Sequence, residues 1–137
     1  ARRKGETVGV DFDHAKNPLI LQTKMEEVKD YTHTILFQFP KKERYQLCAE
    51  IENTVNAALH EIIRFEKKFY KKTTLQEIDI ELEYLRVLIR QARREGYISV
   101  KRLGVWMSKV DEAGRILGGL VRHFKAVAEA REAAKRK

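Results

Sequence analysis

From Pro18 onward, apolar residues recur at intervals of three and four in four successive stretches. That spacing places them on one face of an α-helix. The first stripe is Leu21, Met25, Val28, Thr32, Ile35, Leu36 and Phe39. Asn17-Pro18 opens it with a side-chain cap and a proline at the first helical position. Pro40 drives Phe39 away from helical angles, so this helix is predicted to end near Gln38. The second helix is predicted from about Lys41 to Phe69, with Tyr45, Cys48, Ile51, Val55, Leu59, Ile62, Phe65 and Phe69 as its stripe. Lys71-Lys72-Thr73-Thr74 is read as the next turn. Thr74-Leu75-Gln76-Glu77 has the form of a capping box for a third helix. That helix carries Ile78, Leu82, Leu85, Ile89 and Ala92, and Gly96 is its expected left-handed stop. Ser99 caps a fourth helix with Val100, Leu103, Met107, Val110, Leu117, Val121 and Phe124.

The two ends read differently. Residues 1–17 hold the basic cluster Arg2-Arg3-Lys4 and a weak alternation over Val8–Asp13 that fits a strand or an extended arm, and this arm is expected outside the core. Residues 125–137 turn to Ala, Glu, Lys and Arg with few apolar anchors, a basic helical extension. The expected fold is therefore all-α: an up-down four-helix bundle over residues 18–124 between an arm and an extension.

Composition narrows the partners. The chain has 137 residues, 43% of them apolar, enough for one core. No run approaches the length of a membrane span, and the basic first residues lead into no apolar stretch of a signal peptide. One cysteine, Cys48, makes no intrachain disulfide, which leaves the reducing cytoplasm as the default compartment. The net charge of +8 favours an anionic partner: nucleic acid, an acidic protein or an anionic membrane surface. The excess is uneven. Residues 97–137 hold ten Lys/Arg against four Asp/Glu, and residues 40–72 hold eight against five. The third helix is near neutral but polarised, with Glu77, Asp79, Glu81 and Glu83 at its start and Arg86, Arg90, Arg93 and Arg94 at its end.

Three features carry candidate function. Arg86, Arg90 and Arg93 follow i, i+4, i+7 and make a ridge beside the core stripe. One reading is a solvated face in which Glu83 pairs with Arg86; the other is phosphate or carboxylate recognition by planar guanidinium forks. Arg94, Lys101, Arg102, Arg115, Arg122 and Lys125 join the candidate anion contacts on charge alone. Opposite the core stripe of the same helix stand Ile80, Tyr84 and Val87. They are either a subunit interface or scattered surface apolars. Inside the fourth helix, Gly114, Gly118 and Gly119 each cost roughly 1 kcal/mol relative to alanine. Close approach of a neighbouring backbone would offset that; a kink near Gly118-Gly119 is the alternative.

Catalytic signatures are missing. His14, His33, His60 and His123 sit on different segments without metal-ligand spacing and read as surface or boundary residues. Cys48 lies on a core stripe and reads as a buried thiol. Glu61 and Glu66, on a lysine-rich helix, read as ion-pair partners. There is no phosphate loop, no Ser/His/Asp arrangement and no Glu-x-x-His pair of di-metal bundles. The expectation is a binding protein with no enzymatic activity, metal or cofactor.

Four segments also resemble a known family. Asp79-Ile-Glu-Leu-Glu-Tyr-Leu-Arg-Val-Leu-Ile-Arg90, Gly96-Tyr-Ile-Ser-Val-Lys-Arg102, Val110-Asp-Glu-Ala-Gly-Arg-Ile-Leu-Gly-Gly119 and Phe39-Pro-Lys-Lys-Glu-Arg-Tyr45 are similar, in order and spacing, to Avd. Avd is the accessory variability determinant of diversity-generating retroelements. The likeness covers about residues 20–124, and Leu120 stands where many relatives have an aromatic residue. Four-helix proteins encoded in intervening sequences of 23S rRNA genes share the bundle and are the alternative, as is a general interaction scaffold. The Avd resemblance implies a ring-like, basic homopentamer in a bacterial or phage-infected cell. It would bind the retroelement's reverse transcriptase, template RNA and cDNA, touch no membrane, and supply no chemistry of its own during mutagenic copying. Arg86 and Arg90 match the family's Leu-Arg-x-x-x-Arg positions and carry over as basic-surface residues.

Overall fold

The computed structural model describes residues 18–68 and 72–136. The expected arm 1–17, the Asn17 cap, His14, Phe69 and Lys71 lie outside the described residues. Among those described there are four α-helices and one 3-10 turn, with no strand. Helix α1 spans Pro18–Leu36, the 3-10 turn Lys41–Glu43, α2 Leu47–Lys67, α3 Lys72–Arg94 and α4 Val100–Lys135. Short connections turn the chain back on itself, and each helix packs against the next, with α4 closing onto α1. This is the four-helix bundle the periodicity predicts.

The stripes meet along the bundle axis. On α1, Leu21, Met25, Val28, Thr32 and Ile35 are buried; on α3, Ile78, Leu82, Leu85, Ile89 and Ala92 are fully so. On α4 the true stripe is Trp106, Val110, Ala113, Leu117 and Leu120, with Leu103, Met107 and Phe124 packed at its edge. Val100 and Val121, expected in that stripe, are exposed. A spacing of three or four from Leu103 fits Trp106 and Met107 equally, and packing selects the larger side chain, the Trp106 indole. Trp106 is the largest fully buried side chain. Its Nε1 donates to Thr32 Oγ1 at 2.9 Å, and its ring meets Tyr31 and Phe39 edge-on at 6.5 Å. A buried indole N–H needs such an acceptor.

Helix ends follow the sequence in part. Gly96 takes φ 82°, with Gly96 N donating to Arg93 O and Tyr97 N to Ala92 O, the paired bonds of a Schellman stop. Ser99 Oγ accepts from Arg102 N at 3.1 Å and caps α4 as expected. Helix α1 ends at Leu36, because Gln38 N and Phe39 N already bond three residues back ahead of Pro40. The expected start of the second helix at Lys41 is only a 3-10 turn; the α-helix begins at Leu47, after a break at Arg44–Gln46. Tyr45 therefore stands outside the stripe, solvent-exposed. The Thr74 capping box does not cap α3. The helix is already under way at Lys72, and Thr74 is buried in its first turn.

Helix α4 runs unbroken through Gly118 and Gly119 for 36 residues, against 23 in α3. At 1.5 Å per residue it is longer by about 20 Å. Residues 125–135 are helical and exposed apart from half-buried Val127.

Candidate nucleic-acid and subunit interfaces

Each seam of the bundle carries at least one polar bridge near its surface, and these bridges decide which charges remain available. Lys29 Nζ donates to Asn56 Oδ1 at 2.6 Å between α1 and α2. Tyr84 O–H donates to Glu50 Oε2 at 3.0 Å between α3 and α2. Lys24 pairs with Glu112 at 3.5 Å between α1 and α4. Arg86 Nε donates to Asp111 Oδ1 at 2.9 Å between α3 and α4.

The arginine ridge is accordingly divided. Arg86, 21% exposed, also donates from Nη1 to Glu83 Oε1 at 3.1 Å, so two carboxylates hold its guanidinium. Arg93 Nη1 donates to the Ile98 carbonyl at 3.0 Å and fastens the α3–α4 turn. Arg90 reaches Glu83 only at 3.8 Å and is exposed. Arg94 is exposed and forms no ion pair with a described residue. The interhelical use of Arg86 was not legible from the sequence, since Asp111 lies 25 positions away.

On α4, Lys101, Arg115, Arg122 and Lys125 are all exposed. The first three differ by multiples of seven positions and so fall on one row of the helix, opposite the Trp106 stripe and about 30 Å long. Arg102 donates to the Gln38 side-chain amide and tethers α4 to the α1–α2 connection. The α4 row is thus an exposed cationic surface, whereas Arg86 and Arg93 are built into the fold.

Ile80, Tyr84 and Val87 stand outward on α3, Ile80 being 56% exposed. The glycine expectation needs correction. A Cβ at Gly114 would lie 2.7 Å from Arg86 Nη2, so a neighbouring guanidinium and not a backbone occupies that space. A Cβ at Gly118 would meet only Arg122 of the same helix, at 3.5 Å. Gly119 is buried.

The remaining chemistry-bearing groups have structural settings. Cys48 is buried, and that burial, with Glu52 and Glu43 nearby, pushes its thiol pKa up and keeps it unreactive. Glu61 pairs with Arg64 at 3.2 Å. Glu66 departs from its expected pairing: its Oε2 is buried without a hydrogen-bond partner among the described residues, and burial raises its pKa. His33 and His60 are exposed, His123 half-buried. A shallow cavity of about 350 Å³ between α1 and α2 is lined by Lys29, Thr32, His33, Glu52, Val55 and Asn56. Among the described residues no three His, Cys, Asp or Glu side chains converge as for a metal ion, and no helix is long and apolar enough to cross a membrane.

Sequence reasoning overlooked the α1–α2 connection. Phe37 is 80% and Tyr45 84% exposed, among exposed Lys41, Lys42 and Arg44. The pattern Phe37-Gln-Phe39-Pro40 carried a signal: two rings two positions apart at a helix end leave one of them facing out.

Fold and surface together define a basic four-helix bundle with an outward row of cations on its longest helix. The family model described as bAvd-like matches residues 19–124, most of the chain, and the chain belongs to that family. No curated protein and no solved structure gives a significant match.

Proposed function

We propose that this chain is an accessory protein of a diversity-generating retroelement, non-catalytic, acting as a homopentamer. It binds the element's reverse transcriptase together with template RNA and cDNA, and so supports mutagenic reverse transcription in the cytoplasm of a bacterial or phage-infected cell. The observation that carries this reading is the bAvd-like match over residues 19–124. The geometry supports it in two places. The cations of the α4 row suit the phosphates of a nucleic acid, whose binding is then weakly sequence-dependent and steeply salt-dependent. Ile80, Tyr84 and Val87 provide an outward apolar strip for a neighbouring subunit.

The test is co-expression with the reverse transcriptase of the same element. The expected result is a complex that survives nuclease and high salt, with a light-scattering mass for this protein alone of five chains. A monomer at micromolar concentration would remove the assembly. Loss of the complex on nuclease treatment would leave nucleic acid as the only link to the polymerase.

A further inference from the structure

The α1–α2 connection is built unlike an ordinary exposed loop. Gln38, Phe39 and Glu43 are fastened to the rest of the bundle. Phe39 is buried, its ring centroid 5.3 Å from Tyr97 and 6.5 Å from Trp106. Glu43 accepts the Tyr97 O–H at 2.6 Å and the Leu47 N–H at 3.4 Å. Gln38 accepts from Arg102, and the 3-10 turn Lys41–Glu43 closes the middle of the segment. Flanking these anchors on either side, Phe37, its ring edge against His33 at 5.2 Å, and Tyr45 are solvent-exposed. Two large aromatic rings are therefore displayed on a fixed frame, where ordering on binding costs little.

The charge around them is one-sided. Residues 37–46 and 93–102 form this end of the bundle, and they hold seven Lys/Arg against two Asp/Glu. One of those two, Glu43, is turned to Tyr97. Lys41, Lys42 and Arg44 are exposed and form no ion pair with any described residue.

We propose that this end of the bundle is a stacking platform for unpaired nucleotides, on which Phe37 and Tyr45 each take a base face while Lys41, Lys42 and Arg44 hold the flanking phosphates. The proposal rests on the nucleic-acid reading above and names the strand form and the site. Cations alone suit any polyanion; displayed rings add a requirement for flat π-faces. A duplex hides those faces in its stack, whereas a single strand offers one per nucleotide. An acidic protein segment would satisfy the lysines and leave both rings in water.

The experiment is fluorescence anisotropy with a labelled 12-nucleotide single-stranded RNA and its duplex at low salt, using the full chain in its native assembly. Stacking energies imply that Phe37→Ala/Tyr45→Ala weakens single-strand binding about tenfold or more and leaves duplex binding unchanged. Phe37→Trp/Tyr45→Trp retains single-strand affinity. Lys41→Ala/Lys42→Ala/Arg44→Ala lowers the salt slope by about 2, as three lost phosphate contacts require. Both rings are solvent-exposed, so the variants fold, and an unchanged light-scattering mass checks it. If the wild-type protein binds single strands and the alanine pair loses nothing, or loses single strand and duplex alike, the platform is refuted and the wider reading stands. If the wild-type protein binds neither form, the wider reading fails and the platform with it. A changed mass would reassign the rings to a subunit contact. Binding to phosphatidylserine vesicles that the alanine pair abolishes while RNA binding persists would reassign them to a membrane surface.

Discussion

Arg86 and Gly114 make a coupled pair whose energetics separate a structural arginine from an available one. Arg86 donates to Asp111 on α4 and to Glu83 on its own helix. Hydrogen bonds to charged groups are worth up to about 3 kcal/mol, but Asp111 and Glu83 are 55% and 61% exposed and regain water when the arginine is lost. Solvent screening brings the Asp111 contact to about 1 kcal/mol, and the i, i+3 contact with Glu83 adds a few tenths. Arg86→Ala is therefore expected to lower stability by about 1.5 kcal/mol, near 5 °C in Tm for a domain of this size. Gly114→Ala has two opposed effects. Helix propensity contributes up to about 1 kcal/mol, while the new Cβ, 2.7 Å from Nη2, evicts the guanidinium and forfeits a similar amount. In the wild-type background the two cancel. In the Arg86→Ala background only the gain remains, so the double-mutant cycle shows a coupling of about 1 kcal/mol. Gly118→Ala, where the nearest atom lies at an ordinary 3.5 Å, is the uncoupled control. Urea unfolding followed by circular dichroism at one fixed protein concentration reads all of these, because the stability of any chain that self-associates depends on concentration. An equal stabilisation by Gly114→Ala in both backgrounds would refute the interhelical role of Arg86.

Thr32→Val keeps the shape of the side chain but leaves the buried Trp106 N–H without an acceptor, and it is expected to cost about 1–3 kcal/mol in urea melts while Thr32→Ser costs less; equal costs would remove the hydrogen bond as the reason. Glu66→Gln is expected to raise stability at pH 7 by roughly 1 kcal/mol: the folded carboxyl pKa is raised by burial, so its unfavourable contribution grows as pH rises above the ordinary carboxylate range and disappears below it. A gain from Glu66→Gln that persists at pH 3 would contradict this. Tyr97 is pushed up to about 12, first by its hydrogen bond to Glu43, so it contributes stability fully below the ordinary tyrosine value of 10.0 and loses it as pH rises toward 12. The stability difference between wild type and Tyr97→Phe should accordingly be flat below pH 10.0 and shrink above it in alkaline unfolding titrations; a flat difference throughout would exclude the Tyr97–Glu43 coupling.

What the sequence conveyed well was periodic and local. Every residue of the α3 stripe is buried, and so are those of α1 from Leu21 to Ile35, because one buried face of a helix leaves one repeat; Leu36 is only half-buried, and Phe39 lies beyond the end of α1. Gly96 and Ser99 were correct because their signals act within four residues. The errors lie where two registers or two starting points satisfy the same spacing. Met107 and Trp106 both fit the α4 stripe, and only the contacts of the indole with Thr32 and Phe39 distinguish them. Tyr45 fits a stripe three residues before Cys48, yet the chain breaks between them at Gln46, which adopts φ −119° and ψ −98°. Thr74 looks like a cap, but its core-side position draws it into the first turn. Local pattern could not settle these three.

Charge was the least legible property, and the reason is topological. A cation's availability depends on what faces it across a seam, which sequence spacing does not encode. Arg86 and Arg90 are alike in the sequence, four positions apart on one ridge. In the fold Arg86 is claimed by Asp111 from α4, and Arg90 is left with a 3.8 Å approach to Glu83. Lys101, Arg115 and Arg122, seven and fourteen positions apart, form one row only because α4 stays helical through Gly118 and Gly119. Lys41, Lys42 and Arg44 were counted among the charges of a long second helix, but a break before Leu47 places them with Phe37 and Tyr45 on a separate, fastened connection. The exposed cations without a close carboxylate among the described residues thus lie less on the α3 ridge than on the outward row of α4 and at the end where α1 meets α2. The two surfaces differ in kind: the row offers charge alone and suits any phosphate backbone, while the end adds aromatic faces that only unpaired bases can use.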